Sequence, residues 1–179
     1  MDAGIPADAI AAARDAVKVH LRAVGTSEDA LIAQHAASAM GLCEAFTGQV
    51  LIVRSLRQTL AARGAWQRLD QAPVRAISGV AWLAQDGVAT PVPAEGHAID
   101  IDARGEGWVR MTGAREGRIA VDYQAGLATD WAGLPPPVAQ GVVLLAAHLF
   151  EAKGAQPPAV VTALWRPWRR MRLSGERAA

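Results

Sequence analysis

The sequence predicts an α+β chain that is mainly helical: a small helix bundle of two N-terminal helices and one C-terminal helix, an inserted antiparallel β-hairpin or sheet region, and an extended C-terminal tail. Three observations carry this expectation. Apolar residues recur at helical spacing up to Gly48, short β-branched runs separated by Gly-rich turns fill residues 49–124, and helical patterning returns after Leu134. With 179 residues, of which 51% are apolar, the chain can bury one proper core but not two comfortable ones, so a single domain over 1–156 is expected, followed by a tail over 157–179.

The first helix, about 7–23, follows from Ile10, Ala13, Val17 and Leu21 in ADAIAAARDAVKVHLRAV, with Pro6 tolerated at its start and Gly25 as a stop. The second, about 28–47, has Ser27 placed to cap it, Glu28 and Asp29 in its first turn, and Thr47-Gly48 as its end. Ile32, His35, Ala39, Cys43 and Phe46 form its buried stripe, so His35 and Cys43 are expected to be core residues rather than ligands or nucleophiles. Asp86-Gly87 lies between AWLA and VATPV as a hairpin turn, and HAIDID, GWVRMT and RIAVDYQAG read as further strands. A third helix, about 136–152, has Pro136 or Pro137 in its first turn and Gly154 beyond its end. It is apolar nearly all round, so it must be covered on several sides by its own domain or by a neighbouring copy. Val138, Val142, Val143, Leu145 and Leu149 are the candidate residues for a contact between subunits.

Charge is uneven. The net charge is +1, yet residues 164–179 hold five arginines against Glu176 alone, which leaves −3 on the remainder. That balance argues against a general nucleic-acid binder. Cys43 is the single cysteine, so an internal disulfide framework and a cysteine zinc cluster are excluded and a reducing compartment is expected. MDAGIPADAI lacks a basic, apolar signal pattern, and the run VVLLAAHLF is too short to span a bilayer. Catalytic patterns are missing as well. There is no GxGxxG entering a helix, no GxxxxGK[ST], no HExxH and no GxSxG. Asp100 and Asp102 share a strand face by the two-residue period, which reads as a solvated face rather than a paired-acid site. No catalytic residue, cofactor or metal is expected.

The most unusual stretch is LWRPWRRMRL at 164–173, rich in the two residue types that dominate binding hot spots. It either folds back onto the core, with the arginines snorkelling into water, or leaves the domain to grip a partner.

The order of several segments resembles the head-tail connector, or adaptor, family of long-tailed bacteriophages and of the gene transfer agents of alphaproteobacteria. The matching pieces are AVKVHLR at 16–22, SEDALI at 27–32, FTG at 46–48, PV and GV within 73–80, VDYQAG at 121–126, LPPPVAQGVVLLAAHLFE at 134–151 and P..V..LWRPWRRMRL at 158–173. In that family the last block commonly reads LL.PYR, so Trp165 and Trp168 stand where Leu and Tyr are usual. The Ala-rich composition and compact length look more like the gene transfer agent branch. The resemblance implies a virion structural protein without an active site. It would be one subunit of a ring, dodecameric in the family, between the portal of a DNA-filled head and a tail-side stopper or neck protein. The ring would line the channel for DNA packaging and ejection, with nonspecific DNA contact in its lumen. The particle would assemble in the bacterial cytoplasm. Trp165, Arg166, Pro167, Trp168, Arg169, Arg170, Met171, Arg172 and Leu173 would then dock on the portal. The competing expectation is a nucleic-acid-binding module in which the same Arg/Trp tail holds phosphates and stacks on bases.

Overall fold

The computed structural model describes residues 4–113, 116–151 and 156–170. Among them the chain forms four α-helices and seven strands, the strands lying in two antiparallel sheets. Helix makes up 39% and strand 27%, which corrects the expectation of a mainly helical small bundle with an inserted hairpin region and an extended tail. The physical reason is that the β-branched runs between Gly-rich turns pair into full strands, of which β1, β3, β6 and β7 bury residues. The last proline-rich segment also folds, since Ala159–Trp165 is helical.

The chain divides into two compact units, one of helices and one of strands. Among the described residues the helical unit comprises Gly4–Ile52 and 127–170. Helix α1 (Ala7–Leu21) buries Ala9, Ala13 and Val17 at helical spacing, and its last turn is closed by Arg22 in the left-handed region, earlier than Gly25. Helix α2 (Asp29–Thr47) buries Ile32, Ala36, Ala39, Met40 and Cys43, and stops at left-handed Gly48. The Lys18 ammonium pairs with the Asp29 carboxylate across the α1–α2 connection. Helix α3 (Pro136–Glu151) is apolar on most sides because α1, α2 and the last helix, α4 (Ala159–Trp165), all pack on it.

The chain leaves and re-enters this unit at adjacent points. Leu127 and Ala128 donate their N–H groups to the carbonyls of Val50 and Leu51, at 2.9 and 3.0 Å, and Ile52 bridges Ala128 in parallel. The Leu51 N–H is held by the Glu44 carboxylate at 2.8 Å.

The strand unit spans Val53–Gly126 among the described residues. Strands β1 (Arg54–Ala61), β3 (Val74–Leu83), β4 (Ala89–Pro91) and β7 (Arg118–Ala125) form one sheet in the order β1-β7-β3-β4. Its register sets Arg54 opposite Ala125 and Ala61 opposite Arg118, and β3 carries two irregularities between Val74 and Gly79. Strands β2 (Gln67–Arg68), β5 (His97–Ile101) and β6 (Gly107–Met111) form the second, in the order β2-β6-β5. The hairpin at Asp86-Gly87 closes with the Ala84 N–H on the Val88 carbonyl, and Gly87 takes the positive φ the turn needs. Inside, Val80, Ile119, Val121 and Tyr123 are buried from one sheet and Val109 and Met111 from the other. The sheets approach closely at Gly107, where a Cβ would lie 2.8 Å from Leu69 Cδ1 and 2.9 Å from Val74 Cγ2.

Candidate docking site at the C-terminal helix

Pro158 opens α4 as its N-cap, after which AVVTALW has no helix breaker and places Val161 and Trp165 four residues apart on one side. That side is buried. The Trp165 indole is 3% exposed and seated directly on α3, where Gly141 leaves it room. Its Nε1–H donates to the Val138 carbonyl at 3.2 Å, and its ring centroid is 6.0 Å from that of Phe46. A short 3-10 turn, Arg166–Trp168, continues the helix and half-buries Trp168 against the same core. Two bonds to the end of α2 then fix the backbone. The Gln49 side-chain amide donates to the Trp168 carbonyl, and the Arg170 N–H donates to the Thr47 carbonyl at 2.8 Å.

The charged side chains are displayed by this anchoring. Arg166 and Arg169 are exposed, as is Pro167, while Arg170 is half-buried. The Arg169 guanidinium lies 5.6 Å from the Phe46 ring centroid, a cation–π distance that orients it on the surface. The structure therefore brings Trp165, Arg166, Pro167, Trp168, Arg169 and Arg170 into one folded corner of the helical unit; Met171, Arg172 and Leu173 lie outside the described residues. Trp165 is enclosed by its own chain, so its role here is to hold the corner in place.

The expected subunit-contact residues of α3 have similar surroundings. Val138, Val142, Val143 and Leu145 are buried in the core of the helical unit and Leu149 is half-buried, so α1, α2 and α4 supply the cover that this helix needs. The exposed apolar side chains of the unit lie elsewhere. Val19, Val24, Leu31, Leu42 and Val160 are in water. Periodicity does not single them out, because α2 and α4 carry apolar residues on both sides. The available signal was the lack of any Asp, Glu, Lys or Arg between Asp29 and Glu44.

Titratable groups hold structure together. Cys43 is buried, and burial first and then the Glu44 charge push its thiol well above the usual range, so it is an inert thiol. His35 packs edge-on to Phe150. Asp100 is exposed on β5, whereas Asp102 lies just past the strand and accepts the N–H groups of Arg104 and Glu106 at 2.8 and 2.9 Å. Partial burial pushes the Asp102 carboxyl up, but these N–H groups, the Trp108 indole and the Arg104 charge together bring it below its ordinary value. The two aspartates thus form no pair. On the other sheet Arg57 donates twice to Asp122, at 2.6 and 2.7 Å, and those bonds hold the Asp122 carboxyl below its ordinary value. Among the described residues no three His, Cys, Asp or Glu side chains cluster as metal ligands, and no helix is long and apolar enough to cross a membrane.

No protein-family model and no curated protein sequence matches the chain. Solved structures do. A chain in the neck of an empty gene transfer agent (GTA) particle, computed with C6 symmetry, is 33% identical, with 98% of this chain and 97% of that one covered and a TM-score of 0.76. A chain in the neck of a native GTA particle, computed with C12 symmetry, is 31% identical over the same shares, with a TM-score of 0.77. A chain of the virion of a native GTA particle is also 31% identical, with a TM-score of 0.73. The likeness extends over both units and the C-terminal corner, and on that ground the chain belongs to the head-tail connector, or adaptor, protein family of gene transfer agent particles.

Proposed function

We propose that this protein is a structural subunit of the neck of a phage-like particle. It is the adaptor that joins the portal of the DNA-containing head to the tail-side neck proteins. One observation carries the reading: the whole chain, at 98% coverage, is similar to chains that sit in GTA necks. Twelve copies in a ring satisfy both the C6 and the C12 symmetry of those necks. A closed ring needs heterologous contacts, in which each subunit offers two different surfaces to its neighbours. The lumen of such a ring would line the DNA channel.

The folded C-terminal corner is the portal-facing element in this proposal. Arg166 and Arg169 stand in water on a backbone pinned to α2, so little backbone freedom is lost when they meet acidic portal groups. Repetition around a ring multiplies a modest contact through effective concentration. The burial of Trp165 speaks against a base-stacking role for that ring, which is enclosed by its own chain.

The test is to image the neck of particles that carry this chain with a fused tag. Tag density in a ring directly beneath the portal is expected. Its appearance in the head shell or tail tube, or its absence from the particle, would overturn the proposal.

A further inference from the structure

Strand β6 carries an arginine whose hydrogen-bonding capacity is unused. Arg110 is half-buried, its Nε is enclosed without a hydrogen-bond partner, and its guanidinium lies 4.9 Å from the ring centroid of Trp66, the residue just before β2. Among the described residues its side chain makes no hydrogen bond and no ion pair. The neighbours on this face of the three-stranded sheet show why. Ala98, directly opposite on β5, is too short to reach the guanidinium. In the next row Arg68 and Asp100 flank Trp108, and Arg68 is taken up by Glu106 at 3.6 Å. Asp102 is occupied as well, since it accepts the N–H groups of Arg104 and Glu106. The stack itself is firmly placed: the N–H of Met111, next to Arg110 on β6, donates to the Arg63 carbonyl at 2.9 Å and so ties down the segment that leads to Trp66.

We infer that the stack of Arg110 on Trp66 is a docking point for an extended segment of a partner protein that presents a carboxylate beside an apolar side chain. The carboxylate meets the free edge of the guanidinium, and the apolar group lies against the indole. A guanidinium is a planar fork that takes a carboxylate with two parallel hydrogen bonds, and Arg and Trp are the residue types that dominate binding hot spots. The stack orients the fork before a partner arrives, so less side-chain freedom is lost on binding. Enclosure of Nε has removed water without supplying a hydrogen bond in exchange, which raises the gain from a charged acceptor at the remaining N–H groups. Local charge decides between a protein and a nucleic acid. Asp100 stands on β5, and Asp102 and Glu106 in the turn to β6, so a phosphate backbone would bring its repeated negative charge onto them. A peptide brings a single carboxylate to the arginine that lacks a counter-charge. The contact belongs to the strand unit alone and does not depend on the neck reading.

A displayed library of random heptapeptides, selected on the full-length protein and counter-selected on an Arg110→Gln variant, tests the site without a prior choice of sequence. The recovered peptides should share Asp or Glu next to an apolar residue. In titration calorimetry, synthetic copies should bind roughly tenfold or more tightly than versions in which that acid is replaced by its amide. Arg110→Lys should weaken binding about as much, because an ammonium lacks the planar fork, and Trp66→Ala should weaken it as well. The amide peptides leave the protein untouched, so that comparison decides even where a variant fails to fold. Recovery of no arginine-dependent peptide, equal binding of the acid and amide forms, or displacement of the peptide by random-sequence duplex DNA at physiological salt overturns the inference. Tagged particles that show no neck ring would end the functional reading and leave this contact standing.

Discussion

Gly141→Ala is the most informative single substitution in the helical unit, because two opposing effects of known size meet there. In an open helix, alanine in place of glycine stabilises by about 1 kcal/mol. At position 141 the new Cβ would stand 2.2 Å from Trp165 Nε1 and 2.8 Å from both Cδ1 and Cε2. Ordinary carbon contacts lie near 3.5–4.0 Å, so the indole must move by at least ~1 Å. That motion breaks the Nε1–H bond to the Val138 carbonyl, a loss of about 1 kcal/mol, and strains the packing against Phe46 by roughly 1–3 kcal/mol more. Full expulsion of Trp165 sets the upper limit, since truncating a buried aromatic costs about 3–5 kcal/mol. The expected net result is a destabilisation of about 1–3 kcal/mol. In a Trp165→Ala background the obstacle is gone, and the same change should stabilise by about 1 kcal/mol. Urea unfolding followed by circular dichroism in all four chains measures the difference, a coupling of about 2–4 kcal/mol. If Gly141→Ala is stabilising in both backgrounds, the seating of the indole on α3 is wrong.

Val143→Asp should prevent the helical unit from folding, not merely from assembling, because Val143 is buried in the core of that unit; a soluble, cooperatively melting variant in calorimetry would contradict the core position. Charge reversal at Arg166 and Arg169 together should change stability by less than about 1 kcal/mol, since both are exposed, while capture on purified portal rings falls at least tenfold; equal capture would count against the portal-facing corner. Asp122→Asn should lower the melting temperature slightly at neutral pH and leave it unchanged in strong acid. The folded carboxyl is held below its ordinary value by Arg57, so its contribution is present above the unfolded pKa of about 3.9 and disappears as pH falls through the lower folded value. A pH series of melting curves in which the two proteins differ most in acid would refute this sign.

The sequence placed helices over about 7–23, 28–47 and 136–152, close to α1, α2 and α3, because a 3.6-residue period marks them; the stop at Gly48 is where the sequence put it, whereas Glu28 rather than Ser27 is the N-cap of α2 and Arg22 rather than Gly25 closes α1. It understated the strands. Short runs such as GWVRMT look like minor hairpins in isolation, and only the pairing of β6 with both β2 and β5 reveals a second sheet. The tail was misjudged for a local reason. Pro157, Pro158 and Pro167 suggested an extended path, yet Pro158 is an N-cap and the residues between Ala159 and Trp165 contain no proline. The i, i+4 pair Val161 and Trp165 was the signal for a docked helix. At the site, the arginines stood out by composition alone. The exposed Leu31 and Leu42 of α2 did not, since which of two apolar sides faces water depends on where α1 and α3 pack.

The hydrogen bonds that tie Leu127 and Ala128 to Val50 and Leu51 have an architectural consequence. Neighbouring bridged strands run about 4.8 Å apart, so the chain departs for Val53–Gly126 and comes home within the width of a single strand spacing. To the helices, the entire strand unit is therefore equivalent to one tight loop. A segment attached through two such adjacent points can be replaced wholesale by any other whose ends lie equally close, and the hydrophobic interior on the helical side is not altered by the exchange. The fold thus separates what can be remodelled as a cassette from what must be kept residue by residue.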